Sequence, residues 1–248
     1  MNPKLQEGGE PVMRINVTLG ANAGIAVEAA GCRIWVDALH EQKVPGFSAV
    51  TPALQKKMLS CGAFFSPDAI CYTHCHPDHY SRRLTLAALR LWPMAKIIAP
   101  EPEFADQILI TGENTEVPLE NASLRFLSLP HEGAQYADVK HYGILFSAEG
   151  HNVLFAGDCA TGSPALAEAI GGIPVDLAIL DFPWITLRRG REFLQTSLSA
   201  RHLLICHLPF EQDDTEGYRE NTLQAAKTLA HPDVRLLMEP LQTEIIEI

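Results

Sequence analysis

No run of about 18 consecutive apolar residues, the length that crosses a bilayer, occurs in this chain. A membrane-spanning helix is therefore not expected. The opening "MNPKLQEGGEP" lacks the apolar centre of a secretory signal, which makes the cytoplasm the expected location. Cationic residues are in deficit: 19 Lys and Arg stand against 30 Asp and Glu, a formal net charge of -11. Such a balance repels a polyanion on average and disfavours nucleic acid as a partner. Local basic spots remain at Arg188, Arg189 and Arg191. The six cysteines (Cys32, Cys61, Cys71, Cys75, Cys159 and Cys206) have no framework spacing and are expected as free thiols. Neither a G-x-S-x-G elbow nor a Cys-His pattern is present, so no side-chain nucleophile is indicated.

What the chain does have is enough apolar material for a large core: 248 residues, 47% of them hydrophobic. No linker divides it. The expected organisation is a flexible segment over 1–11 followed by one domain over 12–248. Runs rich in β-branched residues at 12–19, 24–29 and 32–38, separated by Gly20, Asn22 and Gly31, predict an antiparallel meander. A helix capped by Thr51 ahead of Pro52 precedes the short strand "AICYT". The spacing of Leu84, Ala87, Ala88 and Leu91 predicts a second helix, followed by the strand "AKIIAP". Strands are then expected in "TEVPLE", "ASLRFLSLP", "HYGILFSAEG" and "HNVLFAGD". Helices near 163–170, 186–201 and 215–230 alternate with the strands "VDLAIL", "LLIC" and "VRLLME". This order, strands then helix and strand, occurs twice. It predicts an α/β fold in which two mixed sheets pack face to face between outer helices.

The stretch "CYTHCHPDHY" crowds His74, His76, Asp78 and His79 into a turn that leaves a strand and is stiffened by Pro77. Imidazole and carboxylate together suit borderline divalent metals such as zinc. The plain alternative is a solvated surface turn. His131, Asp158 and His207 also fall at predicted strand-to-loop junctions, where a rigid scaffold holds functional groups. Each alone is more often a cap or a turn residue. Together the seven suffice for two metal sites.

"THCHPDH" resembles the T-H-x-H-x-D-H motif of the metallo-β-lactamase superfamily. "PHEG", "FAGD" and "CHLP" fall where that family places its later ligands, and "GANAGIAVEAAGCRIWVDA" looks like its opening hairpin. The resemblance implies a four-layer αββα sandwich with the site at one edge, between the sheets. It also implies that His74, His76 and His131 hold one metal, that Asp78, His79 and His207 hold a second, and that Asp158 bridges them. Asp37 matches a family aspartate that supports the metal loop from behind; otherwise it is a strand-end turn residue. Cys75, Cys159 and Cys206 each adjoin one of these positions, and thiolates are strong zinc ligands. Strand alternation, however, points Cys75 away from His74 and His76, into apolar packing.

Family members that reduce oxygen or nitric oxide generally carry Glu where this chain has His76, so hydrolysis is the expected chemistry. Two divalent ions, zinc first with manganese or iron also compatible, would share a hydroxide that attacks an ester-type bond of a small substrate: a lactone, ester or thioester. Asp78 and His141 are the candidate catalytic residues, His141 as proton donor to the leaving group. The loops at 39–47 and 181–193 are candidate walls, with Phe47, Phe182 and Trp184 as apolar contacts. Arg188 or Arg189 would serve a phosphodiesterase, the alternative reading, and a non-catalytic metal-stabilised module is a third. His40, His151, His202 and His231 show no partner pattern. Homodimers are common enough that one is an expectation here.

Overall fold

In the computed structural model, which describes residues 12–248, short apolar runs broken by turn residues form the expected meander. The flexible segment expected over 1–11 lies outside the described residues. Strands β1 (Arg14–Ala21), β2 (Gly24–Ala29) and β3 (Cys32–Val36) pair antiparallel, with Asn22 and Gly31 at positive φ in the turns. Helix α1 (Pro52–Ser60) starts where Thr51 accepts the Leu54 N–H at 3.2 Å. The chain continues through β4 (Ala69–Cys71), α2 (Arg82–Leu91, capped by Ser81), β5 (Lys96–Ala99) and β6 (Ile108–Leu109). The strands β3 to β6 run parallel.

The second half repeats the plan. β7 (Asn114–Pro118), β8 (Ala122–Ser128), β9 (Tyr142–Ala148) and β10 (His151–Phe155) form an antiparallel meander. They are followed by α3 (Pro164–Ile170), β11 (Val175–Asp181), α4 (Pro183–Thr186), α5 (Arg188–Thr196), β12 (Ala200–Cys206), α6 (Tyr218–Thr228), β13 (Val234–Leu236) and β14 (Thr243–Glu247). Each sheet has seven strands, ordered β14-β1-β2-β3-β4-β5-β6 and β13-β12-β11-β10-β9-β8-β7.

Three details depart from the sequence reading. The helix expected at 186–201 is broken at Leu187, whose extended backbone (φ -89, ψ 142) separates α4 from α5. Residues 200–201 belong to β12 instead. The final strand, β14, returns to the first sheet beside β1, where Glu247 lies opposite Arg14 and pairs with it at 2.9 Å. Glu244 and Glu247 suit an exposed edge and leave only Ile245 and Ile246 as an apolar signal.

Alternation along the second sheet divides the core. Ile144, Phe146, Val153, Phe155, Leu177, Ile179 and Leu204 join residues of the first sheet in one cluster. Their neighbours Leu145, Leu154, Ala178, Leu180, Leu203 and Ile205 join α3 to α6 in another. Leu54 and Met58 of α1, with Leu84 and Ala88 of α2, cover the first sheet. The result is a four-layer αββα sandwich. Among the described residues no helix is long and apolar enough to cross a membrane.

Candidate metal centre

The titratable residues gather beyond the strand ends at one edge of the sandwich, where side chains from different strands converge without breaking either sheet. Asp37 follows β3, Thr73 to His79 follow β4, His131 follows β8, Asp158 follows β10, Asp181 ends β11 and His207 follows β12. An isolated bridge between His131 and Cys159 ties the loop after β8 to the loop after β10.

Two groups emerge. His74, His76 and His131 offer ligand atoms within 4.8 Å of one another, and so do Asp78, His79 and His207. Asp158 lies between them. Its Oδ2 is 3.9 Å from His74 Nε2 and 3.6 Å from His131 Nε2, whereas its Oδ1 is 3.2 Å from His79 Nε2 and 3.5 Å from His207 Nδ1. Each carboxylate oxygen thus faces one group.

The histidine tautomers follow from what surrounds the cluster. His131 Nδ1 donates to the Glu132 carbonyl at 2.8 Å, His79 Nδ1 to Asp37 Oδ2 at 3.0 Å, and His74 Nδ1 lies 3.0 Å from Thr73 Oγ1. The Thr73 hydroxyl itself donates to Asp37 Oδ2 at 2.6 Å, so it is free to accept from His74. His207 Nδ1 is 3.1 Å from Asp181 Oδ2. With the Nδ1 atoms of His74, His79 and His131 engaged outward, their Nε2 atoms turn inward, whereas His207 Nδ1 lies between Asp181 and Asp158. The buried atoms His79 Nε2, His207 Nε2 and Asp158 Oδ1 have no hydrogen-bond partner. Buried polar atoms are rarely left so, and several converging acceptors without donors fit a cation as the group that satisfies them. The donor set, imidazole and carboxylate, is that of zinc, manganese or iron sites.

Electrostatics agree. Burial drives the His74 imidazole well below its usual pKa, with the neighbouring His79 adding to the effect, which leaves its nitrogen free to bind a metal. For His79 burial acts the same way, yet Asp158 and Asp37 on either side outweigh it and hold the ring well above the ordinary value. Burial is likewise overcome at His207, where Asp181 and Asp158 lift the pKa to about 10. Burial would raise Asp158, but His79 and His207 hold it well below the carboxylate range.

Asp37 supports the loop as the resemblance implied: it accepts from the Thr73 N–H at 2.8 Å, from the Thr73 hydroxyl and from His79. Asp181 was not anticipated. A single aspartate ending an apolar strand carries no motif, and only the pairing of β11 with β12, Asp181 opposite Cys206, brings it beside His207. Burial raises its pKa to about 7 against the pull of His207.

His141 lies deeper than its expected role as proton donor requires. Its Nδ1 contacts the Leu129 carbonyl at 3.3 Å, and its Nε2 is buried and unpartnered. Burial lowers its pKa to about 3, so the neutral ring presents an acceptor there. Of the cysteines, none joins either ligand group among the described residues. Burial pushes the Cys75 thiol up to about 12, and Glu103 and Glu101 add to the shift; acids, rather than purely apolar packing, surround it.

Of the two expected wall loops, 39–47 reaches the site through Phe47, and 181–193 reaches it through Asp181. Phe47 stacks on His207 with ring centroids 4.8 Å apart, and Tyr136, overlooked in the sequence, sits 4.9 Å from His76 and 4.8 Å from His131. Trp184 is not a wall residue: it is fully buried against Phe193 in the core beneath α4 and α5. Arg188 pairs with Glu192 at 2.6 Å on the solvent face, and Arg189 with Glu132 at 2.7 Å. His40 is buried, and His151, His202 and His231 bond to Asp176, Asp233 and backbone carbonyls away from the centre.

None of the curated proteins matches the chain. Among solved structures, the metallo-beta-lactamase fold protein YhfI from Bacillus subtilis is 15% identical with TM-score 0.65, covering 95% of this chain and 100% of its own. The metallo hydrolase Igni18 from the archaeon Ignicoccus hospitalis is 15% identical, TM-score 0.63, covering 95% and 99%. CmlA, a diiron β-hydroxylase from Streptomyces venezuelae, is 14% identical, TM-score 0.63, covering 97% of this chain and 55% of its own. At such identities the likeness is one of fold. The family model for a beta-lactamase superfamily domain matches residues 33–230, from β3 through the end of α6 and so across every group described above. On that match, and with the two seven-stranded sheets arranged as they are, the chain belongs to the metallo-β-lactamase superfamily.

Proposed function

We propose that the protein is a dinuclear metal-dependent hydrolase that cleaves an ester-type bond, in an ester, lactone or thioester, of a small substrate. In this reading His74, His76 and His131 hold one divalent cation, Asp78, His79 and His207 hold the other, and Asp158 touches both. Zinc suits the donor set best, and manganese or iron would also fit. The observation that carries the proposal is the inward turn of the Nε2 lone pairs, with Asp158 Oδ1, His79 Nε2 and His207 Nε2 buried and unpartnered.

Cations bound there would supply Lewis acidity and bring the ionisation of water towards neutral pH. The residues of the chain do the rest. Asp37, Asp181, Thr73 and the Glu132 carbonyl fix the imidazole tautomers, so that little reorganisation is needed during the reaction. Asp78 is the proposed proton carrier: its Oδ2 lies 3.8 Å from both His79 Nε2 and His207 Nε2. Burial works against its ionisation, but His207 and His79 prevail and keep it a carboxylate. It would accept a proton from the attacking water and return it to the departing alcohol or thiol. The water oxygen ends on the acyl carbon. His141, with an acceptor nitrogen at its free position, takes no donor role here.

An ester-type substrate is favoured over a phosphodiester because Arg188 and Arg189 are engaged with Glu192 and Glu132, while aromatic rings line both sides of the centre. The test is elemental analysis of the purified protein, followed by chromogenic esters, lactones, thioesters and phosphodiesters with each metal restored. Two equivalents of metal and turnover of the carboxylic panel are expected. Two equivalents with turnover of phosphodiesters alone would move the assignment to the alternative, and absence of any turnover would leave a metal-stabilised binding module.

A further inference from the structure

Arg191 is the one member of the basic trio not yet accounted for. Its two neighbours are paired, but among the described residues Arg191 forms no ion pair and no side-chain hydrogen bond. It is half-buried on α5 and lines an open groove of about 610 Å³ between α4 and α6, with Phe182, Leu187, Tyr218, Asn221 and Gln224. A guanidinium that lines a groove without a counter-charge is available to pair with an incoming anion.

A run of ring contacts links the wall of the groove to the metal centre. Phe182 packs on Tyr218 at 4.7 Å between centroids, Tyr218 on Phe47 at 6.1 Å, and Phe47 stacks on His207 at 4.8 Å. Phe182, Tyr218 and Phe47 are each part-exposed and give an apolar body a surface to lie along, while Arg191 gives the groove a fixed charge. In a chain of net charge -11, with Arg188 and Arg189 already paired, an unpaired Arg191 beside an apolar groove is not part of a broad basic surface.

We infer that this groove binds the non-reacting arm of the substrate, an organic anion with an apolar body, whose acidic end pairs with Arg191 while its body lies along Phe182, Tyr218 and Phe47. The inference rests on the hydrolase reading for the word substrate, but the binding it describes does not need catalysis. The anionic end could be a carboxylate or a phosphate, since a guanidinium takes either in a forked pair.

Binding of 4-phenylbutyrate, 4-phenylbutyl phosphate and the neutral 4-phenylbutanol, measured by calorimetry on metal-loaded and metal-free protein, tests this. At least one anion is expected to bind about tenfold tighter than the alcohol in both forms. That preference should fall to near unity in Arg191→Gln, recover in part in Arg191→Lys and persist in Arg188→Gln. The carboxylate and phosphate arms identify which anion the groove takes. A preference that survives in Arg191→Gln, one that needs the metals, or binding of none of the probes would overturn the inference. Failure of every ester substrate while Arg191-dependent binding persists would count against the hydrolase reading alone.

Discussion

His74 and His131 point their Nε2 atoms at each other across 3.4 Å, although each ring already has its Nδ1 engaged elsewhere. Two lone pairs so placed repel, and a shared cation turns that repulsion into two bonds. Native geometry therefore holds a cost that metal relieves, and ligand binding to the folded state alone adds stability. Removal of metal by chelation should lower the thermal midpoint by about 10 °C, from roughly 4 kcal/mol at a thousandfold excess over Kd and about 2–4 °C per kcal/mol for a chain of this size. Scanning calorimetry with and without added zinc checks this; an unchanged midpoint would remove the metal reading.

Asp37 holds three donors at once: the Thr73 N–H, the Thr73 hydroxyl and His79 Nδ1. It also sits at φ 50, a backbone conformation that asparagine tolerates well. Asp37→Asn should thus fold, yet it presents one carbonyl where two oxygens were used. Metal affinity is expected to fall by about 10- to 100-fold, the usual effect of losing a partner behind a ligand. Competition with a fluorescent chelator measures it, and circular dichroism confirms that the fold is intact.

How much of this centre could be read beforehand depended on whether its chemistry was local. His74, His76, Asp78 and His79 lie within one turn, so their crowding was visible without a structure. His131, Asp158 and His207 were legible only as polar residues at strand ends, in the order a known family shows. Asp181 was invisible because its role comes from the register between β11 and β12, which sequence does not fix. Trp184 was misplaced for a related reason: it sits in the separate short helix α4, and its indole packs in the core. The αββα layering followed from alternation, while β14 stayed hidden because its partner, β1, is more than 220 residues away.

Asp181→Asn tests the residue that sequence missed. The carboxylate lies 3.1 Å from His207 Nδ1 and turns the other nitrogen towards Asp78. Without it the imidazole can flip or change tautomer. About a tenfold loss of affinity is expected for one of the two metal equivalents, with the other unchanged. A uniform loss at both would mean that Asp181 supports the fold generally and not His207 in particular.

Gly157 is demanded twice over. Its φ is +54, and a Cβ there would stand 2.8 Å from His141 Nε2 and 3.0 Å from Thr73 Cγ2. Gly157→Ala must therefore displace the loop that delivers Asp158. A destabilisation of about 1–3 kcal/mol is expected from the backbone strain alone, together with a loss of metal. Urea unfolding of the metal-free protein isolates the first effect, and metal titration the second.

His40 gives the fold a dependence on pH that is separate from metal binding. Its Nε2 donates to the Ala21 carbonyl at 3.1 Å, and burial lowers its pKa from 6.5 to about 4. In the unfolded chain the ring protonates near its ordinary value, so between these limits the unfolded state binds more protons than the folded one. The His40 contribution to stability should therefore be level above pH 6.5, decline as pH falls towards 4, and level again below. The full loss is on the order of 3 kcal/mol. In His40→Asn the slope over that window should shrink by this amount whatever the variant's absolute stability. Urea midpoints for both proteins at pH 7.5, 6 and 5, with chelator present throughout, supply the comparison; parallel slopes would show that His40 does not titrate on unfolding.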